Sequence, residues 1–422
     1  MAELSVEREE SAVVRERSLM KEYRFLLLFF TLLVSSLSVS FFMVATNWYV
    51  VDYLGVEVML GIVFFASSVP RLIFMLIGGV IADRMSKAWV MFLSDFLKGL
   101  LLLGVIALFL FDLFTIWPLV ILAFIFGVLD AFFWPASGSI LPECVKQSQL
   151  TRANTIIDMT RQGSMIAGPL LAASMLALGG YVLLFGITAL LLLLAGVIDL
   201  VLKKKIPEKK ASEAVAGQTE TVIQAMKEGF RYVKQSPFLL ALMASTIFLN
   251  FFFSGPLQLG MPIFASHVLQ GDEVTYALLN GGIAAGMLAG GIIIGIVNVQ
   301  RKRGLVSIIA MSFIGLMFLG LSLSTTFIGS MLFIILLGAA VSITNIPLIT
   351  VIQSHTNGEY LGRVMSLTSF ASMGLMPISY LSTSMLLAAG LPIEQIMFYS
   401  AAGLVFVCLM ILWKAEALRT AD

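Results

Sequence analysis

The stretch LIGGVIADRMSKAWVMF, residues Leu76 to Phe92, sets Asp83, Arg84 and Lys87 between two runs of Val, Ile, Leu, Phe and Met. Each flanking run is long enough to cross a hydrocarbon core as a helix, which takes about 20 apolar residues. The charged interval therefore reads as a turn at a membrane face. Composition agrees. Of 422 residues, 59% are hydrophobic and only 12% charged, and mean hydropathy is +1.00; a soluble protein carries about 25% charged residues. Too little polar surface remains to clothe a water-facing globule, so the chain reads as a polytopic membrane protein.

Twelve apolar runs can span as helices: 24–46, 57–82, 88–111, 116–138, 151–177, 181–202, 238–266, 275–298, 304–323, 328–352, 362–388 and 394–414. Basic residues test the count, because Lys and Arg favour the cytoplasmic side. All but three of the 26 Lys and Arg fall in the N-terminal tail, in alternate connections or after the last span. The opposite connections hold Asp52, Glu57, Asp112, Asp272, Glu273 and Glu394 and no base. A wrong count would scramble that alternation, so both termini are expected in the cytoplasm. The tail MAELSVEREESAVVRERSLMKEYR lacks an apolar core and reads as a cytoplasmic lead into a retained first helix.

The same inventory argues against several functions. A net charge of +1 gives no nucleic-acid footprint, and Cys144, Cys408, His267 and His355 are isolated, with no metal-ligand or disulfide spacing. No phosphate-binding Gly-x-x-x-x-Gly-Lys-Ser/Thr loop occurs, and no nucleophile–base constellation stands out. An enzyme or an ATP-driven pump in cis is a poor fit, and no cofactor or metal is implied.

The longest connection, 203–237, is polar at first and then places Val222, Met226, Phe230 and Val233 at helical spacing, as a surface helix would. It divides a tail (1–23) and a six-helix bundle (24–202) from a second six-helix bundle (238–414) and a tail (415–422). At an offset of 212, Gly78 and Gly79 match Gly290 and Gly291, and Pro135 matches Pro347; LTRANTIIDM from Leu150 matches LGRVMSLTSF from Leu361 at 211. Paired repeats in a membrane protein point to a site at the repeat interface and to alternating access.

GGVIADRMSK resembles the loop motif Gly-x-x-x-Asp-Arg-x-Gly-Arg-Arg between helices two and three of the major facilitator superfamily. Gly79, Asp83, Arg84 and Lys87 match, while Ser86 and Ala88 depart from it. GSMIAGPLL, with Gly163, Gly168 and Pro169, is similar to that family's helix-five antiporter motif. The segments Asp130–Thr155 and Lys227–Pro237 resemble its macrolide and siderophore exporter branch. The resemblance implies two pseudo-symmetric six-helix bundles, a cavity lined by helices one, four, seven and ten, and contact between halves through helices two, five, eight and eleven. It also implies that the loop motif latches the halves on the cytoplasmic side. A carboxylate at Asp83 facing the helix-eleven N-terminus fits that role electrostatically; the matching position in helix eight is Gly295.

Six charges are embedded in spans. Counting 1.5 Å per residue, Asp95, Asp130 and Asp158 lie about 10–12 Å in from the cytoplasmic edge. On the same rise, Arg71, Lys98 and Arg161 lie about 15–18 Å in. Asp95–Lys98 and Asp158–Arg161 are i, i+3 pairs able to meet on one helix face. Insertion of such a charge costs about 2.5–3.5 kcal/mol on translocon scales, so these groups must face protein or water. The repeat offsets put Ile283, Ser307, Ala310, Ser342, Ser369 and Ser372 opposite them. Either an embedded acid titrates during transport, Asp130 first and Asp158 second, or the six form a static neutral network.

Phe42, Asn47, Asn250, Phe253 and Gln258 are the candidate substrate contacts: aromatic surface with a few orienting amides suits a bulky amphipathic solute. Gly255–Pro256 is expected to bend helix seven. The expected function is secondary transport in the cytoplasmic membrane, efflux of drug-, macrolide- or siderophore-like molecules driven by a proton gradient, with small molecule, protons and lipid as the partners and no obligate protein partner. A lipid flippase on the same scaffold and a non-transporting membrane sensor are the alternatives.

Overall fold

The computed structural model describes residues 19–206, 222–297, 303–356 and 358–414. Among them every regular element is helical. The first half contains α1 (Tyr23–Trp48, continued by a wide turn Tyr49–Tyr53), α2 (Leu60–Arg84), α3 (Lys87–Leu110) and α4 (Ile116–Ser139). A 56-residue helical segment, Leu150–Lys205, follows. At 1.5 Å per residue it would be about 84 Å long, nearly three hydrocarbon thicknesses. It is in fact two helices, because Gly179 and Gly180 leave helical geometry, Gly180 with φ of 64°. A side chain is disfavoured there, and the chain folds back as α5 (150–178) and α6 (181–205).

The second half contains α7 (Pro237–Gln258, extended by short turns through Val268), α8 (Glu273–Val297), α9 (Arg303–Leu323), α10 (Phe327–His355), α11 (Gly358–Gly374 and Met376–Ala388, interrupted at Leu375) and α12 (Ile393–Lys414). Eleven described segments are long and apolar enough to cross a membrane, and one of these, Arg152–Lys205, is the broken pair. The twelve expected spans are thus accounted for, with ends within a few residues of those read from hydropathy. Pro135 and Pro347 both lie inside their helices, α4 and α10, at matching places in the two halves.

Within the first half α1 packs on the α5–α6 hairpin, α2 on α4, and α3 on both α4 and the hairpin. In the second, α8 and α9 pack on α10, α9 on α12, and α7 on α11 and α12. The halves meet along α2–α11 and between α8 and the Leu150–Lys205 segment, where Gly281 of α8 faces the Ile166 carbonyl of α5. These are the helices two, five, eight and eleven that the resemblance implied. A surface helix, Val222–Gln235, lies against α7 and the first part of α11. It buries Val233 and exposes Phe230, while residues 207–221 and the N-terminal tail to residue 18 lie outside the described residues. We call the membrane face that carries this helix the linker end, and the opposite face the far end.

Candidate functional site

The embedded charges of α3 and α4 converge. Lys98 sends its ammonium 2.5 Å from Asp130 Oδ1 on α4 and 3.9 Å from Asp95 Oδ1, one turn back on α3. Around that ammonium stand the rings of Phe133, at 5.0 Å, and Phe126, at 5.9 Å, whose faces favour a cation. Ser35 on α1 donates to Asp95 Oδ2. One turn earlier on α1, Thr31 donates to Asp199 Oδ1 of α6 at 2.9 Å, sharing that proton with the Ala195 carbonyl. Asp95 and Asp199 lie within electrostatic range of each other. Four helices therefore surround three carboxylates and one ammonium.

Burial grades the cluster. Asp199, Asp95 and Lys98 are 0%, 1% and 2% exposed, whereas the Asp130 side chain keeps 18%. Asp130 is the member best placed to exchange with water. Asp95 Oδ1 and Asp199 Oδ2 are buried with no hydrogen-bond donor. The sequence paired Lys98 with Asp95 along one helix face; the fold adds Asp130 from α4 and makes the three one site.

Asp199 was missed altogether. It precedes Lys203, Lys204 and Lys205 by about one turn, so by position it looks like an acid at the membrane interface. Only the packing of α6 on α1 buries it. A signal was available in α1, where Thr31 and Ser35 set two hydroxyls four residues apart on one helix face.

The second embedded pair does not close. Arg161 lays its guanidinium 4.9 Å over the Trp134 ring of α4 and leaves its Nε unbonded, while Asp158 is exposed. Arg71 on α2 is half-buried and lies in electrostatic range of the Tyr380 hydroxyl on α11. In the second half, uncharged residues stand where the charges stand in the first. Ser342, opposite Asp130, donates to the Met287 carbonyl of α8 at 2.7 Å; Ser307 and Ala310, opposite Asp95 and Lys98, are buried.

Of the loop motif, the side chains of Gly79, Asp83 and Arg84 lie outside the described residues, and with them the expected latch. Lys87 is described. Its ammonium lies 2.6 Å from Glu143 and donates to the Ser139 carbonyl at 3.1 Å. It thus clamps the start of α3 to the C-terminal end of α4, where a cation is favoured by the helix dipole. Cys144, beside it, is buried, and burial with the neighbouring Glu143 carboxylate pushes its thiol up to about 12. On α5, Gly168 packs against Ser40 of α1, Pro169 lies inside the helix, and Gly163 borders open space.

The halves are joined by several contacts at the far end. Asn47 of α1 donates to the Tyr276 hydroxyl of α8 at 2.7 Å, and Trp48 stacks on the Tyr276 ring with centroids 6.0 Å apart. Ser384 of α11 donates to the Val58 carbonyl, and Phe64 of α2 meets the Tyr380 ring at 5.1 Å. His267 lies 3.5 Å from Glu57, beside a cavity of about 460 Å³ that Glu394 also lines.

Asn47, read as a cavity residue, is thus a buried part of this seam. Phe42 stacks on Phe126, with centroids 4.2 Å apart, next to the charge cluster. Phe253 packs edge-on against Phe318, Asn250 donates to the Thr246 carbonyl, and Gln258 is exposed. The expected bend of α7 is displaced: the helix runs through Gly255–Pro256 and changes at Leu259. At Gly255 the Ser379 hydroxyl of α11 accepts from the Gly255 N–H at 2.8 Å and donates to the Phe251 carbonyl at 2.5 Å. It bonds both groups of one rung of the helix, and a Cβ at Gly255 would collide with Ser379 and Thr383.

Comparison with known proteins is consistent with this architecture. The model of the Major Facilitator Superfamily matches residues 28–380. An uncharacterized MFS-type transporter, YvqJ of Bacillus subtilis (strain 168), is 29% identical over 280 residues. That match covers 65% of this chain and 64% of YvqJ, so the chain spans just under two thirds of that relative. Macrolide efflux protein A of Streptococcus pyogenes is 24% identical over 386 residues, 90% of this chain and 92% of its own. Among solved structures, the nucleoside transporter NupG superimposes with a TM-score of 0.72 at 12% identity, over 92% of this chain and 99% of NupG, a likeness of fold.

Proposed function

Because the chain belongs to the Major Facilitator Superfamily, we propose that it is a proton-coupled exporter of bulky amphipathic molecules that works by alternating access. The observation that carries the coupling is the buried cluster Lys98, Asp130, Asp95 and Asp199. Asp130 is its partly exposed member and its ammonium-paired one. A proton arriving at Asp130 neutralises the carboxylate and frees Lys98, which already has Asp95 at 3.9 Å. The α3–α4 tie is thereby weakened and the α3 charge turns inward. Loss of the proton restores the tie. A protonation event is in this way converted into a change of packing within the first bundle, whose α1 and α2 carry half of the far-end seam.

The distribution of bases supports placing the linker end in the cytoplasm and the chain in the cell membrane. Export of a macrolide-like solute is supported by the relation to macrolide efflux protein A. The aromatic side chains of Phe42 and Phe253, the amides of Asn250 and Gln258, and Arg71 at the α2–α11 boundary are the candidate solute contacts. The energy source is the proton gradient, with no cofactor. The test is macrolide flux in proteoliposomes with and without a pH gradient, for the parent and Asp130→Asn. Gradient-driven flux that disappears in the variant is expected. Lipid movement indifferent to the gradient, or macrolide binding without flux, would overturn the proposal.

A further inference from the structure

The far-end seam contains a charged contact that neither the cluster nor the solute path uses. α7 ends in the wide turn Phe264–Val268, closed by the Leu269 N–H on the Phe264 carbonyl at 3.0 Å. Its fourth residue, His267, sets Nε2 3.5 Å from Glu57 Oε1, with the imidazole 52% and the carboxylate 25% exposed. His267 belongs to the second half and Glu57, just before α2, to the first. The contact thus crosses the seam. Beside it the halves touch closely: Ser384 of α11 donates to the Val58 carbonyl, and a Cβ on Gly61 would collide with Ser384 and the Tyr380 carbonyl.

The surroundings are acidic. Glu394, at the start of α12, lines the same cavity as Glu57 and His267. α8, which also packs against the turn, begins at Asp272 and Glu273, and the Gly260–Ile263 segment brings no charge. Asp272 already accepts from Thr275. The far-end connections contain no Lys or Arg. Among the described residues there, His267 is the group able to gain a positive charge near neutral pH. The first half repeats the wide turn at Tyr49–Tyr53, where the fourth residue is Asp52. The repeat therefore sets an acid where the second half sets the imidazole.

We propose that His267 and Glu57 form a pH-sensitive latch between the halves, closed while the imidazole carries a proton and released when it loses it. Charged, the imidazole attracts carboxylates from both sides of the seam, Glu57 of the first half and Glu394 of the second. Neutral, it leaves those two like charges lining one cavity, and their repulsion favours separation. Closure and protonation therefore favour each other. The stabilisation is full in acid and is lost as pH rises through the titration of the histidine. The pair is partly exposed, so the effect is modest, about a two- to fivefold change in the ratio of closed to open molecules. With the linker end in the cytoplasm, the far end faces the medium, and an acidic medium holds the exit shut.

The latch rests on the alternating-access reading for one point, that the seam has an open arrangement, and its test does not involve transport. Nitroxide labels are placed on cysteines introduced at Thr115 and Thr325, exposed residues of the α3–α4 and α9–α10 turns, one on each half. Pulsed electron–electron distance measurements on the full chain in lipid nanodiscs give the ratio of closed to open seams. In the parent that ratio should fall about two- to fivefold between about pH 5 and pH 8. His267→Gln should keep the low ratio at both ends of the range, and His267→Lys the high one. The response of the parent should survive in Asp130→Asn. Two distances whose balance follows pH equally in the parent and His267→Gln overturn the latch alone. So does a response that vanishes in Asp130→Asn, which would put the sensor in the charge cluster. A single distance in every variant at every pH overturns the latch and counts against alternating access as well.

Discussion

Replacing Lys98 by Met is the perturbation whose consequence is most directly fixed by the geometry. The ammonium is 2% exposed and bonded to Asp130 at 2.5 Å, and methionine fills a similar slender volume between Phe126 and Phe133. Removing one partner of a buried ion pair costs about 3–5 kcal/mol, because the other charge is left uncompensated. Asp130 keeps 18% of its exposure, so water recovers part of that penalty and the lower end, about 3 kcal/mol, is expected. Asp130→Asn should cost less, about 1–2 kcal/mol, because Lys98 can turn to Asp95. In Lys98→Met with Asp130→Asn both charges are gone, and replacement of a whole buried pair is close to neutral. The double variant should lie nearer the parent than Lys98→Met does. Reversible unfolding of the purified protein from mild micelles by added SDS, followed by circular dichroism, measures all four stabilities. The coupling should be about 4–5 kcal/mol, far above the roughly 0.5 kcal/mol by which independent sites depart from additivity. Losses that simply add in the double variant would refute the pairing as an energetic unit.

Tyr276→Phe removes the acceptor for Asn47 at the far-end seam, leaving a buried amide short of a partner at a cost of about 1–3 kcal/mol; labelling from outside of a cysteine introduced at Gln258 should become faster, and an unchanged rate would sink the seam as a gate. Cys144 should give little background in that experiment, since a buried thiol pushed up to about 12 stays protonated at neutral pH and reacts slowly; rapid modification of the parent would contradict its burial. Ser379→Ala takes away the hydroxyl bonded to the Gly255 N–H and Phe251 carbonyl, and should lower stability by only about 1 kcal/mol while slowing flux, so normal flux would show that this rung plays no part in moving α7. Asp272 caps the start of α8 by accepting from the Thr275 N–H and hydroxyl, and the backbone bond from Thr275 holds its carboxyl below the ordinary range. That contribution is present above the unfolded-state value and fades as pH falls through the lowered one, so Asp272→Ala should weaken α8 at neutral pH by about 1 kcal/mol or less, given its exposure, and differ little from the parent in strong acid. Equal losses at both pH values would contradict the capping role.

How much of this was legible in the chain follows from which interactions are periodic and which are not. Span ends were readable within a few residues because apolar length and basic flanks are one-dimensional signals. The α5–α6 turn was readable for the same reason, at Gly179–Gly180. The charge cluster was legible only in part. Asp95, Lys98 and Asp130 were conspicuous by depth, but depth says nothing about azimuth, so the nearest sequence partner, Asp95, looked like the mate of Lys98. The mate is Asp130, supplied by α3–α4 packing, which also supplies the two aromatic faces. The same reasoning paired Asp158 with Arg161, where Trp134 of the adjacent helix offers a ring instead. Asp199 was hidden by its proximity to three lysines, and α7 by an assumption that proline sets the bend.

The two halves share a plan and differ in chemistry, and that difference constrains how the machine can work. Where α3 and α4 meet through Lys98 and Asp130, the matching helices α9 and α10 offer Ala310 and Ser342, and Ser342 is bonded to a backbone carbonyl of α8 that carries no charge to lose. On the proposed proton coupling, protonation alters packing in the first bundle and leaves the second unaffected. The second bundle in turn presents the Ser379–Gly255 rung between α7 and α11 and the Tyr276 ring that receives Asn47 and Trp48. A change originating in the first half can reach the second through the α2–α11 and α5–α8 contacts and through Asn47 and Trp48 of α1 against Tyr276 of α8. On the proposed alternating-access reading, the seam at the far end, not the cluster itself, is the element with two arrangements. On this division of labour, substitutions in the cluster should change how far the gradient drives the cycle. Substitutions at Asn47, Trp48 and Tyr276 should change the resting balance between arrangements even with no gradient applied.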